Sequence, residues 1–547
     1  MEKIKITHDN ITKEFAKGTT YFEISKSFNV QKNDILAVEI DNVIYHLSDK
    51  AKNNCIVNFV DVTDDMGNKI YKNSLKFLFE VALKKTLKDA EVVYEHSVPK
   101  GVLATINYDK EITYNDLNNI KKKMYNLVSN DVLIKKFTIL KSEAIEYYKN
   151  NNFCEKALNV QHISDKVLTL FELDGYFNYF YTTMAYSVGV LKKYEIKSIG
   201  RNKIILVPPD KNGNVPDYSN CNNIVNSFYR GKCLLHDLNI DYLADLNQEI
   251  LDLKIKDFIK SCELVFDLNL ASAAKKICDN KNIKFVMIAG PSSSGKTTTC
   301  KRLADYLRAN GYDPIMLSID DYFVDREMTP LDEEGNKDYE SLQAIDLELL
   351  NQDLDDLLHN KIIKMKRYNF ITGKKEVLDK EISMSDNSIF LLEGLHALND
   401  ELTPKIGAKY KYKIYLSPFI PLNIDRHNYI STIDLRLIRR MIRDSRTRGY
   451  DVVHTMDKWR SVRRGEEKYI FPFVSQADMV INTALAYEVG VLKVYIEPLL
   501  YSVDINNQYY EEARRIINFL KPFFSIPGEF VPENSILREF IGGKYND

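Results

Sequence analysis

The stretch Gly290-Pro-Ser-Ser-Ser-Gly295-Lys296-Thr297 lies between an apolar strand, predicted over 285–289, and a helix that ends near Asn310-Gly311. It fits the spacing G-x-x-x-x-G-K-[ST] of a loop that folds its backbone N–H groups around phosphates. Lys296 can then reach the β- and γ-phosphates of a nucleotide, and Thr297 can offer its hydroxyl to Mg²⁺ at the helix N-terminus. The predicted nucleotide-binding residues are Gly290, Pro291, Ser292, Ser293, Ser294, Gly295, Lys296, Thr297 and Thr298.

Apolar strands alternate with helices around this loop, which is the pattern of a parallel α/β sheet. The predicted strands cover 285–289, 315–319, 389–392, 412–416, 479–482 and 492–496. Open sheets of this kind bind their ligands at the carboxyl ends of the strands. We therefore predict a P-loop NTPase-type domain over residues 281–498.

Carboxylates follow two of these strands, because Asp320-Asp321 comes after 315–319 and Glu393 comes after 389–392. A carboxylate beside the phosphate loop can accept the proton of an attacking hydroxyl and can order the shell of Mg²⁺. These strand ends favour a kinase over an ATPase or GTPase. We predict Thr297, Asp320 and Glu393 as metal-binding residues, whereas a helix cap is an equally good interpretation of Asp321.

A helix predicted over 432–446 carries four arginines at the spacing i, i+3, i+4 and i+7, with almost no acid among them. They are Arg436, Arg439, Arg440 and Arg443. Arginine donors that close over a transferring phosphoryl group stabilise its charge and exclude water. We interpret this face as part of a lid.

The composition restricts what the rest of the chain can be. The 547 residues suggest three or four domains, and the net charge of −2 gives no global basic surface for nucleic acid. No apolar run approaches the roughly 20 residues that a membrane span needs. Seven cysteines without a Cys-x-x-Cys pair indicate free thiols and a cytoplasmic location.

Turns, breakers and changes of pattern along the chain predict four further units. Residues 1–62 alternate as short strands around one helix, for which Thr20 and Glu23 form a capping box. Residues 63–215 begin with a turn at 65–68 and a helix over 74–85, and end at the breaker 208–213. Residues 216–280 are predicted as a helical connector, and residues 499–547 as a helical tail.

Four motifs in order make the segment 283–498 resemble the uridine kinase and phosphoribulokinase family of P-loop kinases. They are the loop at 290–297, Leu317-Ser-Ile-Asp320-Asp-Tyr-Phe323, Phe390-Leu-Leu-Glu393-Gly394, and the arginine helix with Arg448-Gly449 after it. The resemblance implies that Asp320 is the base on the acceptor hydroxyl. It also implies that Lys296, Arg440 and Arg448 are catalytic residues.

The same resemblance implies the acceptor site. Glu340 would hold the ribose hydroxyls, and Tyr368 and Phe370 would stack on the base. Two positions depart from the family, because its base-recognising histidine falls at Gly373 and a lid arginine falls at Tyr450. The resemblance therefore implies phosphoryl transfer and leaves the acceptor open.

Residues 1–210 resemble the amino-terminal half of threonyl-tRNA synthetase, with a ubiquitin-like β-grasp (TGS) domain and an editing-like α+β domain. The motif Phe15-Ala-Lys-Gly18-Thr-Thr20 and the turn Ser187-Val-Gly189 carry this resemblance. The four catalytic positions of that editing domain are occupied by Asn73, Phe77, Phe180 and Met184. Such side chains cannot replace imidazoles and a thiol, so we expect no editing chemistry and no zinc there.

Three hypotheses follow. The first is an ATP- and Mg²⁺-dependent kinase for the 5′-hydroxyl of a nucleoside. The second keeps this machinery for another small alcohol, such as a sugar phosphate or a pantothenate-like acceptor. The third is a nucleotide-dependent regulatory protein whose amino-terminal half contacts RNA or the ribosome. The sequence leaves open the preference for ATP or GTP, the oligomeric state and the role of the tail. We expect a fragment starting near residue 270 to keep kinase activity if the helices before it are dispensable.

Overall fold

The structure is a computed structural model that describes residues 2–28, 30, 34–98, 100–217, 222–332 and 335–543. Cys221 and the end of the predicted tail, 544–547, lie outside the described residues. The other six cysteines are free thiols. Within the described ranges, no helix has the length and apolar character that crossing a membrane requires.

The chain begins with two three-stranded sheets, in the orders β2-β1-β5 and β4-β3-β6, and one helix. The elements are β1 Lys3–His8, β2 Ile11–Ala16, α1 Tyr21–Ser27, β3 Ala37–Ile40, β4 Val43–Tyr45, β5 Cys55–Ile56 and β6 Asn58–Val60. The predicted capping box at the start of α1 is confirmed. The Thr20 hydroxyl accepts from the N–H of Glu23 at 3.3 Å, and the Glu23 carboxylate accepts from the N–H of Thr20 at 3.0 Å.

Residues 65–207 form a second mixed α/β part, with sheets in the orders β12-β13-β8-β7 and β11-β10-β9. Its elements are α2 Asp65–Thr86, β7 Glu91–Val98, β8 Gly101–Asn107, α3 Tyr114–Ser129, β9 Ile134–Leu140, α4 Lys141–Asn150, α5 Cys154–His162, β10 Val167–Leu173, β11 Tyr176–Asn178, β12 Glu195–Gly200 and β13 Lys203–Val207. The predicted turn at 65–68 is wrong, because α2 already starts at Asp65. Gly67 suggested a turn, yet it lets the helix approach Asp61, whose carbonyl oxygen leaves no room for a Cβ.

Three helices lead into the next part of the chain: α6 Asn222–Asp237, α7 Leu243–Leu251 and α8 Ile255–Asp279. Helix α8 packs Ile259 and Phe266 into the same apolar core as the strands that follow. Its acidic side chains Glu263 and Asp267 also pair with the buried Arg302. Helices α7 and α8 therefore pack on one side of the core that supports the phosphate loop, whereas most buried residues of α6 pack on the other side.

A five-stranded sheet, in the order β15-β18-β14-β19-β22, carries that loop. All its neighbours are parallel, which confirms the predicted parallel α/β arrangement. The elements are β14 Phe285–Ala289, α9 Lys296–Ala309, β15 Asp313–Ser318, α10 Leu347–Leu358, β16 Ile363–Asn369, β17 Lys374–Ile382, β18 Ser388–Glu393, β19 Lys411–Ser417, β20 Asn423–Asp425, β21 Asn428–Tyr429, α11 Thr432–Thr447, α12 Val452–Tyr469, β22 Met479–Asn482, α13 Glu488–Tyr501, α14 Tyr510–Leu520 and α15 Arg538–Ile541.

The strand predicted over 492–496 is wrong, because these residues lie inside α13. The helix buries residues at helical spacing: Val489, Leu492, Ile496 and Leu500. A short apolar run is compatible with a buried strand and with a buried helix. Periodicity over five residues could therefore not distinguish the two structures.

Both faces of the parallel sheet are covered. Val286 and Ile288 face α8, α9, α11 and α13, whereas Phe285 and Met287 face α6 and α10. The hairpin β20–β21 extends to the amino-terminal half, where the Tyr94 N–H donates to the carbonyl of Arg426 at 2.9 Å. The Asn423 amide returns a hydrogen bond to the carbonyl of Tyr94 at 2.9 Å, so the two halves of the chain share buried contacts.

Candidate active site

The phosphate loop joins β14 to α9 as the sequence predicts. Gly295 has a φ of +81° and Ser293 a φ of +59°, which turn the backbone back toward the helix. The hydroxyls of Ser293 and Ser294 are buried and have no hydrogen-bond partner among the described residues. Lys296 Nζ donates to the carbonyls of Gly290 at 2.9 Å and Pro291 at 3.3 Å. Unsatisfied hydroxyls and an ammonium at the loop fit a polyphosphate ligand.

Two buried ion pairs hold this loop from behind. The guanidinium of Arg439 binds Glu488 at 2.7 Å and donates to the carbonyl of Ser293 at 3.3 Å. The guanidinium of Arg436 binds Glu466 at 2.6 Å, and Glu466 also accepts from the N–H of Ser292 at 3.1 Å. The interpretation of the arginine stripe as a shared lid is therefore wrong for Arg436 and Arg439, which are fully buried.

The other arginines of this region lie at the mouth of the loop. Arg440 Nη1 donates to the hydroxyl of Ser292 at 3.0 Å. Arg443 and Arg448 gather on Asp444, with N···O distances of 3.1 and 3.5 Å. The side chain of Arg448 stays 49% exposed, so its charge can still turn toward a phosphate.

The carboxylates predicted at the strand ends lie beside Lys296. Burial raises the pKa of Asp320, and the nearby charges of Lys296 and Arg448 oppose this rise. Burial also raises the pKa of Glu393 to about 7, with Asp320 and Glu539 adding to the rise and Lys296 opposing it. Asp321 instead accepts from the N–H of Tyr368 in β16 at 3.2 Å. It lies inside the short 3-10 helix Ile319–Tyr322, so the interpretation of Asp321 as a helix cap is wrong, although its contact is structural.

The hydroxyl residues at the start of α9 differ in what they contact. Thr297 is exposed at the loop, whereas the hydroxyl of Thr298 donates to Glu539 at 2.6 Å. Within the described chain, no three His, Cys, Asp or Glu side chains form a preassembled metal site. Mg²⁺ typically takes one or two carboxylates plus phosphate oxygens, so Thr297, Asp320 and Glu393 remain suitable residues to hold it.

Glu340 packs against α12. A Cβ at Gly465 would lie 2.6 Å from Cβ of Glu340, so this helix position has to be glycine for Glu340 to fit. The imidazole Nε2 of His396 donates to the carbonyl of Glu340 at 2.9 Å. Burial raises the pKa of Glu340 to about 7, with Glu466 and Asp320 adding to the rise and Arg440 and Lys296 opposing it.

Aromatic rings cluster near the tip of the hairpin β16–β17. Tyr368 is buried and meets Phe323 and Phe370 edge to face, at centroid distances of 5.5 and 5.1 Å. Phe370 is 61% exposed and is therefore the ring that remains accessible for stacking. A Cβ at Gly373 would lie 2.7 Å from Nε of Arg326, so the Arg326 guanidinium fills the space beside Gly373.

The four positions that the sequence resemblance aligned with an editing domain lie in the core of residues 65–207. The Asn73 amide donates to the Thr182 hydroxyl at 2.8 Å, and Phe77 contacts Phe180 at a centroid distance of 5.5 Å. Met184 is fully buried in the same core. Next to them, Lys76 Nζ donates to the carbonyl of His427 from the hairpin β20–β21 at 3.2 Å.

Sequence reasoning missed four residues that shape the site: Glu466, Glu488, Glu539 and Arg326. Glu466 and Glu488 bind arginines 30 and 49 positions away, separations that no helix or strand period reveals. The absence of acid within the arginine stripe was the one available signal, because buried guanidiniums require partners from elsewhere.

Comparison with known proteins covers the part of the chain that holds this site. The Phosphoribulokinase / Uridine kinase family matches residues 285–489. A uridine kinase of Halobacterium salinarum is 29% identical over 196 residues, which cover 36% of this chain and 77% of that protein. A uridine kinase of Staphylococcus aureus is 27% identical over 212 residues, which cover 39% of this chain and 93% of that protein.

Two solved structures give weaker likenesses. The structure of a possible uridine kinase from Bacillus stearothermophilus is 20% identical, covers 37% of this chain and 89% of its own, and has a TM-score of 0.24. A D-glycerate 3-kinase of Cryptococcus neoformans is 14% identical, covers 44% of this chain and 78% of its own, and has a TM-score of 0.18.

Proposed function

We propose a specific reaction for this chain, whose residues 285–489 form a kinase domain of the Phosphoribulokinase / Uridine kinase family and make it an ATP-dependent phosphotransferase. It transfers the γ-phosphoryl group of ATP to the 5′-hydroxyl of a nucleoside and uses Mg²⁺. The observation that carries this proposal is that Glu340 packs against Gly465, whose neighbour Glu466 accepts a hydrogen bond from the N–H of Ser292 in the phosphate loop at 3.1 Å. The charges of Asp320 and Lys296 also act on the Glu340 carboxyl. These contacts support a ribose-binding carboxylate next to the base and the phosphate-binding ammonium.

In this reaction Asp320 accepts the proton of the 5′-hydroxyl, whose oxygen forms the new bond to the γ-phosphorus. The bond from that phosphorus to the β–γ bridging oxygen breaks, and ADP leaves. The raised pKa of Asp320 makes its carboxylate a better proton acceptor. Lys296, Arg440 and Arg448 stabilise the charge of the transferred group, because they lie at the mouth of the loop.

Thr297, Asp320 and Glu393 would hold Mg²⁺, which would neutralise charge on the phosphates when bound. The ion pairs Arg439–Glu488 and Arg436–Glu466 keep the loop in place without touching the reactants.

The amino-terminal half is proposed as TGS-like (1–62) and editing-like (63–215) domains, followed by a helical connector (216–280), the kinase domain (281–498) and a tail (499–547). A contact of that half with RNA has no observation in its favour.

Glu340 binds the ribose hydroxyls in this proposal, and Phe370 stacks on the base. Tyr368 supports Phe370 from below, because its own ring is buried. The specificity for one base is not set by an imidazole, since Gly373 stands at that position.

A second candidate reaction is supported by Arg326. Its guanidinium binds the carbonyl of Phe370 and fills the space at Gly373, which places a cation in the acceptor cleft. A cation suits an alcohol that carries a phosphate or a carboxylate, such as a sugar phosphate or a pantothenate-like acceptor.

The test is an acceptor panel assayed for ADP release by the full chain with ATP and Mg²⁺. The panel contains the ribonucleosides, their 5′-deoxy counterparts, sugar phosphates and pantothenate. Turnover with a ribonucleoside and none with its 5′-deoxy counterpart is the expected result. Turnover restricted to an anionic alcohol would replace the first proposal by the second, and tight ATP binding without any turnover would favour the regulatory hypothesis.

A further inference from the structure

The tail of the chain, which lies beyond the kinase family match, packs directly on the phosphate loop. Ile536, Leu537 and Phe540 of this tail are completely buried. A Cβ at Gly295 would lie 2.4 Å from Cδ1 of Ile536, so the tail touches the loop at the glycine that bends it. The tail therefore packs against the phosphate loop, next to the proposed nucleotide site.

Helix α11 fixes the tail in this position. Arg446 Nη1 donates to the carbonyl of Phe540 at 2.6 Å. The guanidinium of Arg439 lies 4.8 Å from the centroid of the Phe540 ring, and the same guanidinium donates to the carbonyl of Ser293. Arg439 thus connects the tail with the phosphate loop. The same helix, α11, also carries Arg440 and Arg443 at the mouth of the loop.

The tail presents one carboxylate to the loop. Oε2 of Glu539 accepts a hydrogen bond from the hydroxyl of Thr298 at 2.6 Å. Thr298 lies in the first turn of α9, where the helix N-terminus would bind an anion. Glu539 also lies close enough to Glu393 for its charge to act on that carboxyl. A fixed negative charge therefore lies where the phosphates of a nucleotide would arrive.

We propose that Glu539 is a positioning and specificity residue of the nucleotide site, which makes nucleotide binding depend on the divalent cation. Free ATP meets the charges of Glu539, Glu393 and Asp320, whereas ATP bound to Mg²⁺ arrives with part of its own charge cancelled. The carboxylate of Glu539 thus disfavours the metal-free nucleotide, which would occupy the loop without being able to react. This inference rests on the proposed nucleotide and magnesium site and is independent of the acceptor.

The experiment measures ATP binding by calorimetry on the full chain, once with Mg²⁺ and once with EDTA. In Glu539→Gln we expect Kd for metal-free ATP to fall about tenfold, as for removal of one partly buried like charge, while Kd for Mg·ATP changes much less. Glu539→Asp keeps the charge and should keep the wild-type preference for Mg·ATP. Glu529→Gln removes an exposed charge from the same segment and serves as the matched control.

An unchanged ratio of the two Kd values in Glu539→Gln would overturn the proposal. An equal increase of both Kd values would also overturn it, because such a loss of binding indicates a purely structural contact. Melting temperatures of the variants identify such a loss of fold. If the wild-type chain binds ATP normally and phosphorylates no nucleoside, the proposed reaction fails and this proposal stands; if it binds no ATP in either condition, both fail.

Discussion

Arg439 and Glu488 form an ion pair from which solvent is completely excluded, with N···O distances of 2.8 and 2.7 Å. The guanidinium also donates to the carbonyls of Thr483 and Ser293, at 2.8 and 3.3 Å. Four hydrogen bonds to described residues therefore hold this side chain. The arginine holds the phosphate loop to the end of β22 and to the start of α13.

Replacing Arg439 by alanine should lower the free energy of unfolding by about 3–5 kcal/mol, because Glu488 would be left buried and unpaired. Urea denaturation of the full chain gives this value. Arg201→Ala removes an exposed arginine and should change it by less than about 0.5 kcal/mol. Equal stabilities of the two variants would show that solvent reaches Glu488.

Lys296→Ala should lower kcat by about 10²–10³-fold, because the site loses a positive charge that opposes the charge on the transferred phosphoryl group. The melting temperature should stay near that of the wild type, since Lys296 donates its hydrogen bonds to two carbonyls of the loop and packs into no apolar core of the described chain. Lys301→Ala, on the same helix, is the control and should keep its activity. A variant at Lys296 with wild-type turnover would refute the assignment of the loop.

Asp320→Asn should keep the affinity for ATP bound to Mg²⁺ and lose about 10²–10⁴-fold in kcat, because an amide cannot accept the proton of the acceptor. Nucleotide binding and turnover are measured on the same preparation. Asp321→Asn tests the neighbouring position, where the tie to Tyr368 predicts a smaller effect, mainly on stability. Loss of both binding and turnover in Asp320→Asn would make this residue structural or chiefly a metal ligand.

Acceptor binding should depend on pH through Glu340, whose pKa is raised to about 7. Only the carboxylate can accept two hydroxyl donors, so KM for the acceptor should fall about tenfold between about pH 6 and pH 8. Glu340→Gln should abolish this dependence.

The raised pKa of Glu340 affects the stability of the fold in the opposite direction: acceptor binding improves as pH rises, whereas the free energy of unfolding falls. The folded chain holds the Glu340 proton more tightly than the unfolded chain does. Its contribution to stability is therefore complete below the ordinary pKa of a glutamate and is lost as pH rises through about 7. Denaturation across this window should show a steeper decline in the wild type than in Glu340→Gln, because Glu393, whose pKa is also raised to about 7, contributes the same decline to both. Parallel curves would contradict the raised pKa of Glu340.

A fragment that starts near residue 270 should be unstable, contrary to the expectation from sequence. It cuts α8 and removes Ile259 and Phe266 from the core, together with the partners of the buried Arg302. A fragment that starts near residue 241 keeps α7 and α8 and is the control. Recovery of the shorter fragment with an equal melting temperature would show that α8 is dispensable.

Local sequence determined the parts of this protein whose constraints lie within a few residues of one another. The glycine and lysine spacing at 290–297 specifies a loop between β14 and α9, and Thr20 with Glu23 specifies the start of α1. Asp320 and Glu393 were predictable as neighbours of the loop, because parallel strands bring their carboxyl ends to one edge of the sheet.

Only the tertiary structure decided the roles that depend on distant partners. Spacing placed Arg436, Arg439 and Arg440 on one helix face, yet Glu466 and Glu488 buried the first two and left Arg440 at the phosphate loop. Likewise, no local pattern connects Glu539 with Thr298, which lies 241 positions earlier in the chain. The physical reason is that helix and strand periods describe contacts along one element, whereas burial and charge pairing depend on which elements the folded core brings together.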